Sequence, residues 1–391
     1  MVSIMKYIFQ RTGLLCLSIL LCMNIPLAVS AQNKTDLKLY ARSALLMDAA
    51  TGRVLYEENG YEVMPIASTT KIMTCILALE SGQLEEYVTV SANAGKQPKV
   101  RLGIKEGEAY RLEDLLYALM LESHNDVAVA IAEHLGGSVE EFANCMNDKA
   151  QSLGCKDSYF VTPNGLDATR DGKQHASTAY DMALITSYAL QNEDFCRIIS
   201  ASSHTFMEKA GMKQYTVYNK DAFLTMYEGA IGVKTGFTNG AGYCFVGAVK
   251  RGDATFVSVV LGSGWPPNKS WKWSDTRTLM DYGTQNYFYQ SYGSETVYGP
   301  IPVEEGTKDY VELMAEHKEI GMLLKGDETI TTEYTLENSV KAPVESGQIV
   351  GYERYLLNGE IIAEFPICTT EKINKITLWY CYFKVVEKFL I

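Results

Sequence analysis

Several chemistries have no foothold in this sequence. The 391 residues contain no H-E-x-x-H, no G-x-S-x-G and no G-x-x-x-x-G-K-[ST] segment, so metalloprotease, α/β-hydrolase and P-loop readings lack their motif. Histidine is scarce. His124, His134, His175, His204 and His317 are scattered without ligand spacing, and neither a metal nor any cofactor is expected. Basic residues form no block: 35 Lys+Arg stand against 47 Asp+Glu, a net charge of −12. Nucleic acid is excluded as a partner, because phosphate binding needs clustered cations that release counterions. No C-x-x-C pair occurs among the nine cysteines, which makes a poor disulfide framework and a poor zinc site. With only 10 prolines and 31 glycines, collagen-like and proline-rich architectures are also excluded.

What remains is ordinary globular usage, 47% hydrophobic and 21% charged, at a length that suggests about two domains. The first 31 residues stand apart. Lys6 and Arg11 are their only charges, an apolar run Leu14–Met23 follows, and Ala28-Val-Ser-Ala31 closes the segment. Basic, apolar and small-residue regions in that order predict a secretory signal cleaved after Ala31. Its removal takes Cys16 and Cys22, leaves an odd seven cysteines expected to be buried free thiols, and makes the exported chain −14. The other end is also unusual. Over 372–391, Ile376, Trp379, Phe383, Val386 and Leu390 fall on one helical face, and Asn374, Thr377, Cys381, Lys384 and Lys388 on another. Charges interrupt any spanning run, so an amphipathic helix lying on the membrane surface is predicted.

Between the ends, Ser43–Asp48 and Arg53–Tyr56 read as strands, and 67–81 as a helix stopped by Gly82. Further helical periodicity covers 112–121, 126–135, 138–152 and 178–190. Strand patterns return at 231–238, 242–249 and 255–261, followed by a helix over 274–287. Strands, a helical block, then strands again predict an α/β domain over 38–290 with one antiparallel sheet built from both ends. From about 296 to 370 short strands dominate, with Asn358-Gly359 as a hairpin turn, which predicts a small all-β, sandwich-like domain.

One constellation carries chemistry. In Ser68-Thr-Thr-Lys71, the serine and lysine lie three apart at a predicted helix start, so the ammonium can reach the hydroxyl. Serine is a weak nucleophile that needs a neighbouring base. Lysine serves as one only when burial or a second cation lowers its pKa from about 10.4. Alone, S-x-x-K is uninformative, since roughly one or two copies arise by chance, and Ser3-Ile-Met-Lys6 is another. Ser123-His-Asn125 is equally weak. Lys234-Thr-Gly236 is rarer and sits on a predicted strand, where glycine lets a ligand approach the backbone. The three in this order are strong together.

The triple, with Asp48–Asn59, Ala67–Thr74, Thr162–Leu166, His175–Asp181 and Val233–Thr238, resembles the low-molecular-weight D-alanyl-D-alanine carboxypeptidases, a penicillin-binding family. That resemblance implies the β-lactamase/DD-peptidase-like fold and a peptidoglycan stem peptide ending in D-Ala-D-Ala as substrate. It implies β-lactam antibiotics as covalent inhibitors, and export to the outer face of the bacterial cytoplasmic membrane. Ser68 would be the acyl nucleophile, Lys71 its base, and Ser123 the proton relay to the leaving group. Asn125 would touch the substrate amide. Lys234 and Thr235 would bind the terminal carboxylate, and the N–H groups of Ser68 and Phe237 the oxyanion. Lys272 stands where many relatives have an arginine; it keeps the charge but loses the bidentate fork, so a weaker contact is expected.

Residues Thr69, Thr70, Thr74 and Cys75 read as packing, and Ser177 as a helix cap beside a structural His175. Competing readings are a D,D-endopeptidase with the same machinery, an inactive wall-binding scaffold and a class A-like β-lactamase. The last needs a carboxylate to activate water. Residues 156–165 hold no glutamate, only Asp157 as a poor stand-in.

Overall fold

The structure, a computed structural model, describes residues 36–293, 296–315 and 319–389. The expected signal, residues 1–31, and His317 lie outside the described residues. From residue 39 onward the chain forms one compact unit.

Five antiparallel strands make the central sheet: β1 (Ser43–Asp48), β2 (Val54–Glu58), β3 (Ala230–Thr238), β4 (Gly242–Arg251) and β5 (Ala254–Leu261), in the order β2-β1-β5-β4-β3. The two ends of the domain meet where β1 pairs β5, from Ser43 opposite Leu261 to Asp48 opposite Phe256. All six residues of β1 are buried, because both faces of the sheet are covered and alternate residues serve opposite layers. Leu46 packs with Phe256 on Gly283 of the helix Trp271–Asn286, here α7, whereas Met47 faces Ser187 of the helix Ala179–Ala189, here α5.

The inserted block comprises α1 (Lys71–Glu80), α2 (Leu112–Leu121), α3 (Asn125–Gly136), α4 (Val139–Ser152), α5 and α6 (Glu193–Ser200). Helix α1 is buried nearly all round, with Ile72, Met73, Cys75, Ile76 and Leu79 in the main core. Burying such side chains is worth about 1.5–3 kcal/mol each, which fixes the start of α1 against the sheet. Helix α4 shows the polar opposite: Ser138 caps it by accepting the Glu141 N–H, and only Phe142, Ala143, Met146 and Ala150 are buried.

Several details differ from the sequence reading. The expected helix from 67 begins as a 3-10 turn, Ala67–Thr70, whose threonine hydroxyls donate to Ile66 O and Ala67 O. Thr178, not Ser177, caps α5 by accepting the Asp181 N–H at 3.0 Å, while Ser177 pairs with Ser158. Helix α6 and a ribbon of Ser203–Met207 with Gln214–Tyr218 were not expected. Of the seven described cysteines, all free, only Cys75, Cys155 and Cys244 are buried.

Beyond α7 the described residues are all β or loop until the last helix. A four-stranded sheet orders Leu313–Ala315, Glu360–Thr369, Ile349–Leu357 and Ile330–Leu336, and a three-stranded one lies around Ile301–Glu304. Asn358 (φ 53°) and Gly359 (φ 84°) make the two-residue turn of the expected hairpin. Val311, Val344, Ile367 and Ile373 share a separate small core. This region is latched to the sheet domain by Arg53, which donates to Leu323 O and pairs with Glu328, and by Asp48, which accepts the Leu323 N–H. The terminal helix, α8 (Leu378–Phe389), starts later than residue 372 because Ile373 is held in a bridge with Val344. No residue of α8 is buried.

Candidate active site

The site forms where α1, the turn before α3, the loop 162–167 and the edge strand β3 converge. Ser68 lies in the 3-10 turn, and the chain enters it through Ala67 at φ 48°, a left-handed value rarely held by alanine. Such backbone costs of order 1–3 kcal/mol and persists only where surrounding contacts enforce it. Two glycines supply the enforcement. At Gly236 on β3, a Cβ would stand 3.0 Å from Ser68 N and 3.1 Å from the Ala67 Cβ. At Gly165 (φ 81°), it would stand 1.9 Å from Ala67 O. Sheet and loop therefore press on the Ser68 turn from two sides at backbone distance.

Lys71 is completely buried at the first position of α1. Its Nζ lies 2.8 Å from Ser68 Oγ, 2.9 Å from Asn125 Oδ1 and 2.7 Å from Asn164 O. Burial first, and then the charge of Lys234, push its pKa well below the ordinary lysine value; Asp126 opposes the shift. The bond pattern defines what a neutral Lys71 does. A neutral amine has two N–H groups and one lone pair. Asn125 Oδ1 and Asn164 O are pure acceptors and take both N–H groups. The lone pair is left for the Ser68 hydroxyl proton.

Asn164 escaped the sequence reading because it contributes a main-chain carbonyl. Its loop is strapped to α1 by Thr74, which donates to Pro163 O at 2.7 Å; in the preceding 3-10 turn, Thr70 Oγ1 lies 2.7 Å from His175 Nε2. His175 Nδ1 accepts the Val161 N–H at 2.9 Å, so Nε2 carries the proton and donates to Thr70. Burial and Lys71 lower the His175 pKa to about 4, which keeps it neutral. The side chain of Asn164 donates to Gln97 at 3.3 Å, another residue without a sequence signal.

Ser123 precedes α3 at φ 67° and is half-buried. It is brought near Asn125 but makes no side-chain hydrogen bond to the described residues. His124 turns onto Glu122 at 3.1 Å. Asn125 is fixed by its N–H to Val100 O at 2.7 Å and by Nδ2 to Pro98 O at 3.3 Å.

On β3, Lys234 is buried and its Nζ donates to Thr235 O at 3.3 Å rather than to Ser123. Burial lowers its pKa to about 8, against the opposing pull of Asp221. Phe237 stands opposite Tyr243, whose own N–H and C=O bond Gly264 and Ser263 on the far side. The Phe237 N–H is therefore directed to the free edge of β3, the side on which Ser68 lies. Lys272, in the first turn of α7, is not joined to Thr235 or Lys234. It donates to Lys269 O at 3.1 Å, and its ammonium lies 4.8 Å and 4.6 Å from the ring centres of Tyr243 and Trp273. Asp157 is exposed at the far end of its segment, its N–H on Asp181, and touches neither Ser68 nor Lys71.

Residues 28–264 match the family model described as D-alanyl-D-alanine carboxypeptidase, and 289–375 that of the penicillin-binding protein 5 C-terminal domain. The D-alanyl-D-alanine carboxypeptidase DacF of Bacillus subtilis (strain 168) is 30% identical over 92% of this chain and 94% of its own. DacD of Escherichia coli (strain K12) is 30% identical over 86% and 88%. Among solved structures, penicillin-binding protein 5 from Haemophilus influenzae superposes with a TM-score of 0.72 at 26% identity, covering 87% of this chain and 99% of that one. Penicillin-binding protein D2 from Listeria monocytogenes, solved in an ampicillin-bound form, gives 0.56 at 32% identity over 64% and 99%. The chain belongs to the D-alanyl-D-alanine carboxypeptidase family, among the low-molecular-weight penicillin-binding proteins.

Proposed function

We propose that the chain is a serine-type carboxypeptidase that removes the terminal D-alanine from peptidoglycan stem peptides through a Ser68 acyl-enzyme. The observation that carries the reading is the Lys71 hydrogen-bond set: two acceptors consume its N–H groups and leave a lone pair for Ser68. Lys71 takes the hydroxyl proton as Ser68 Oγ attacks the carbonyl between the two D-alanines. The developing oxyanion is received by the Ser68 and Phe237 N–H groups; losing one such donor typically costs about 10²–10³ in rate. Ser123 passes a proton to the departing amine, and water then releases the shortened peptide. Lys234 and Thr235 hold the terminal carboxylate, with Lys272 behind the aromatic pair as an accessory cation.

A β-lactam presents an acyl group and a carboxylate in the same relation, so it acylates Ser68. With Asp157 remote and no other carboxylate hydrogen-bonded to Ser68 or Lys71 among the described residues, the adduct is long-lived, which disfavours the β-lactamase reading. We assign α8 to a membrane surface, on the outer face of the cytoplasmic membrane after export. Trp379, Tyr382, Phe383 and Phe389 are exposed on it beside Lys384 and Lys388. No helix among the described residues is long and apolar enough to cross a membrane. The test of the activity is a synthetic stem pentapeptide alongside a cross-linked dimer. D-Alanine release from the pentapeptide that vanishes in Ser68→Ala is expected; cleavage of the dimer alone would make the protein an endopeptidase.

A further inference from the structure

The start of α3 carries a carboxylate that the catalytic steps above leave idle. Asp126 is completely buried, one residue after Asn125. Its Oδ1 accepts the Leu102 N–H at 2.9 Å, and its Oδ2 the Gly103 and Ile104 N–H groups at 2.8 Å and 3.3 Å. Oδ1 also takes the Val127 N–H of its own helix at 3.0 Å. Three successive main-chain donors, 22–24 residues earlier in the chain, thus converge on one side chain.

The segment held in this way, 97–104, has few other ties. Pro98, Lys99, Val100 and Arg101 are exposed, and only at its end does Ile104 enter the main core, with Leu102 packed partly against it. Among the described residues, the hydrogen bonds of 98–104 run to Asn125 and Asp126 alone. Those to Asn125 decide how its amide is turned. Val100 O takes the Asn125 N–H at 2.7 Å, and Pro98 O takes Nδ2 at 3.3 Å. A carbonyl only accepts, so Nδ2 must face the segment and Oδ1 must face Lys71 Nζ, 2.9 Å away. Gln97 does the same for the other acceptor. Its Oε1 takes Asn164 Nδ2 at 3.3 Å, and Asn164 O lies 2.7 Å from Lys71 Nζ. Both acceptors of the Lys71 N–H groups are therefore backed by one short segment.

We propose that 97–104 is a brace that keeps the Asn125 amide oxygen and the Asn164 carbonyl turned to Lys71, and that Asp126 is the positioning residue that ties the brace down. The inference rests on the carboxypeptidase reading. Its chemical consequence is specific. With the brace released, the Asn125 amide is free to turn and present an N–H to Lys71. An N–H donated into the lone pair of a neutral amine competes with the Ser68 hydroxyl for it, and one amine N–H is left without its acceptor. The base is misdirected while Lys234 and Thr235 stay in place for the carboxylate. Acylation should slow, and binding should not.

The test is stopped-flow acylation of the full chain by a fluorescent penicillin, which separates the rate constant of the chemical step from the dissociation constant of the initial complex. Asp126→Asn keeps the shape but only one acceptor oxygen; whichever way its amide turns, an NH2 group meets main-chain donors. Its rate constant should fall by about 10²-fold, the scale of a 1 Å misplacement, with the dissociation constant within about threefold of wild type. A merely weakened fold lowers the fraction of molecules that react and not the rate constant of those that remain folded, as Arg53→Ala should show. Gln97→Ala removes one contact to Asn164 and should slow the same step by roughly three- to tenfold, the worth of one hydrogen bond. In the double variant the two losses should not multiply, because both act through one segment. An Asp126→Asn rate constant within about threefold of wild type, a loss carried by the dissociation constant, or losses that multiply would overturn the proposal. If Asp126→Asn does not fold, Gln97→Ala decides, and an unchanged rate constant refutes the brace. A wild type that penicillin does not acylate overturns the carboxypeptidase reading, and this inference with it; an acylated wild type with unaffected variants overturns the inference alone.

Discussion

Substituting Gly165 by alanine separates the two contributions that loop makes to the site. The new Cβ would stand 1.9 Å from Ala67 O and 2.8 Å from Thr70 Oγ1, and the residue would have to hold φ 81°. The left-handed backbone alone costs about 1–2 kcal/mol for a non-glycine residue. The clash cannot be relieved by a rotamer change, because the atom met is a main-chain carbonyl of the Ser68 turn. Either the loop withdraws, which takes Asn164 O from Lys71 and Pro163 O from Thr74, or the strained Ala67 turn moves. We expect a total of roughly 3 kcal/mol or more. At about 2–4 °C per kcal/mol for a domain of this size, the melting temperature should fall by roughly 6–12 °C. A displacement of about 1 Å at the reacting groups is worth about 10²-fold in rate, so penicillin acylation should fall by that order in the molecules that remain folded. Gly172 is the control. It also has positive φ, 76°, but nothing lies within 4 Å of the added Cβ. Gly172→Ala should lose about 1–2 kcal/mol and no acylation rate. Differential scanning fluorimetry and stopped-flow acylation read both quantities. Acylation by Gly165→Ala within threefold of wild type, or equal damage from Gly172→Ala, would refute the reasoning.

Three further perturbations follow from the same contacts. His175 is held neutral with a pKa near 4 against about 6.5 when unfolded. A depressed folded pKa stabilises fully above pH 6.5 and is lost as pH falls toward 4, an effect of order 3 kcal/mol. Urea melts at pH 7.5 and 5 should show about 2 kcal/mol of that loss in wild type and not in His175→Gln; parallel losses would argue against it. Arg53→Ala leaves Glu328 buried without its partner, which should destabilise by up to about 3–5 kcal/mol and speed proteolysis between the domains while sparing acylation. An unchanged urea midpoint would contradict the latch. Lys272→Ala should raise KM for the pentapeptide about tenfold with little change in kcat, since the group is accessory; loss of kcat would place it in the chemistry.

Much of this was legible in the sequence, for identifiable reasons. The sheet strands and α2 to α5 stand out as apolar stretches punctuated by Gly136-Gly137 and Pro163-Asn-Gly165; most are buried on more than one side, whereas α4 buries one face. Ser68, Lys71 and Lys234 could be singled out because side-chain type and spacing mark them. The acceptors that orient Lys71 could not all be found this way: Asn164 offers a main-chain carbonyl, which any residue has, and its position depends on Gly165 and on hydroxyls 89 or more residues away in sequence. The 3-10 start at Ala67 is likewise imposed by β3 and the loop rather than by local propensity. Helix α6 has an Asn192 cap and Phe195, Ile198 and Ile199 in register, but eight residues are too few for periodicity to stand out. The cap of α5 was misplaced by one residue because Ser177 and Thr178 are chemically equivalent candidates, and only the partner Ser158 distinguishes them.

The central claim is that Ser68, activated by neutral Lys71, is the acylated residue. Intact-mass and peptide-mapping spectrometry of the purified protein after brief exposure to penicillin tests it directly. One adduct per chain, confined to the peptide containing Ser68, absent in Ser68→Ala and strongly slowed in Lys71→Arg, is the predicted result. An adduct on another residue, or undiminished labelling of either variant, would contradict the account.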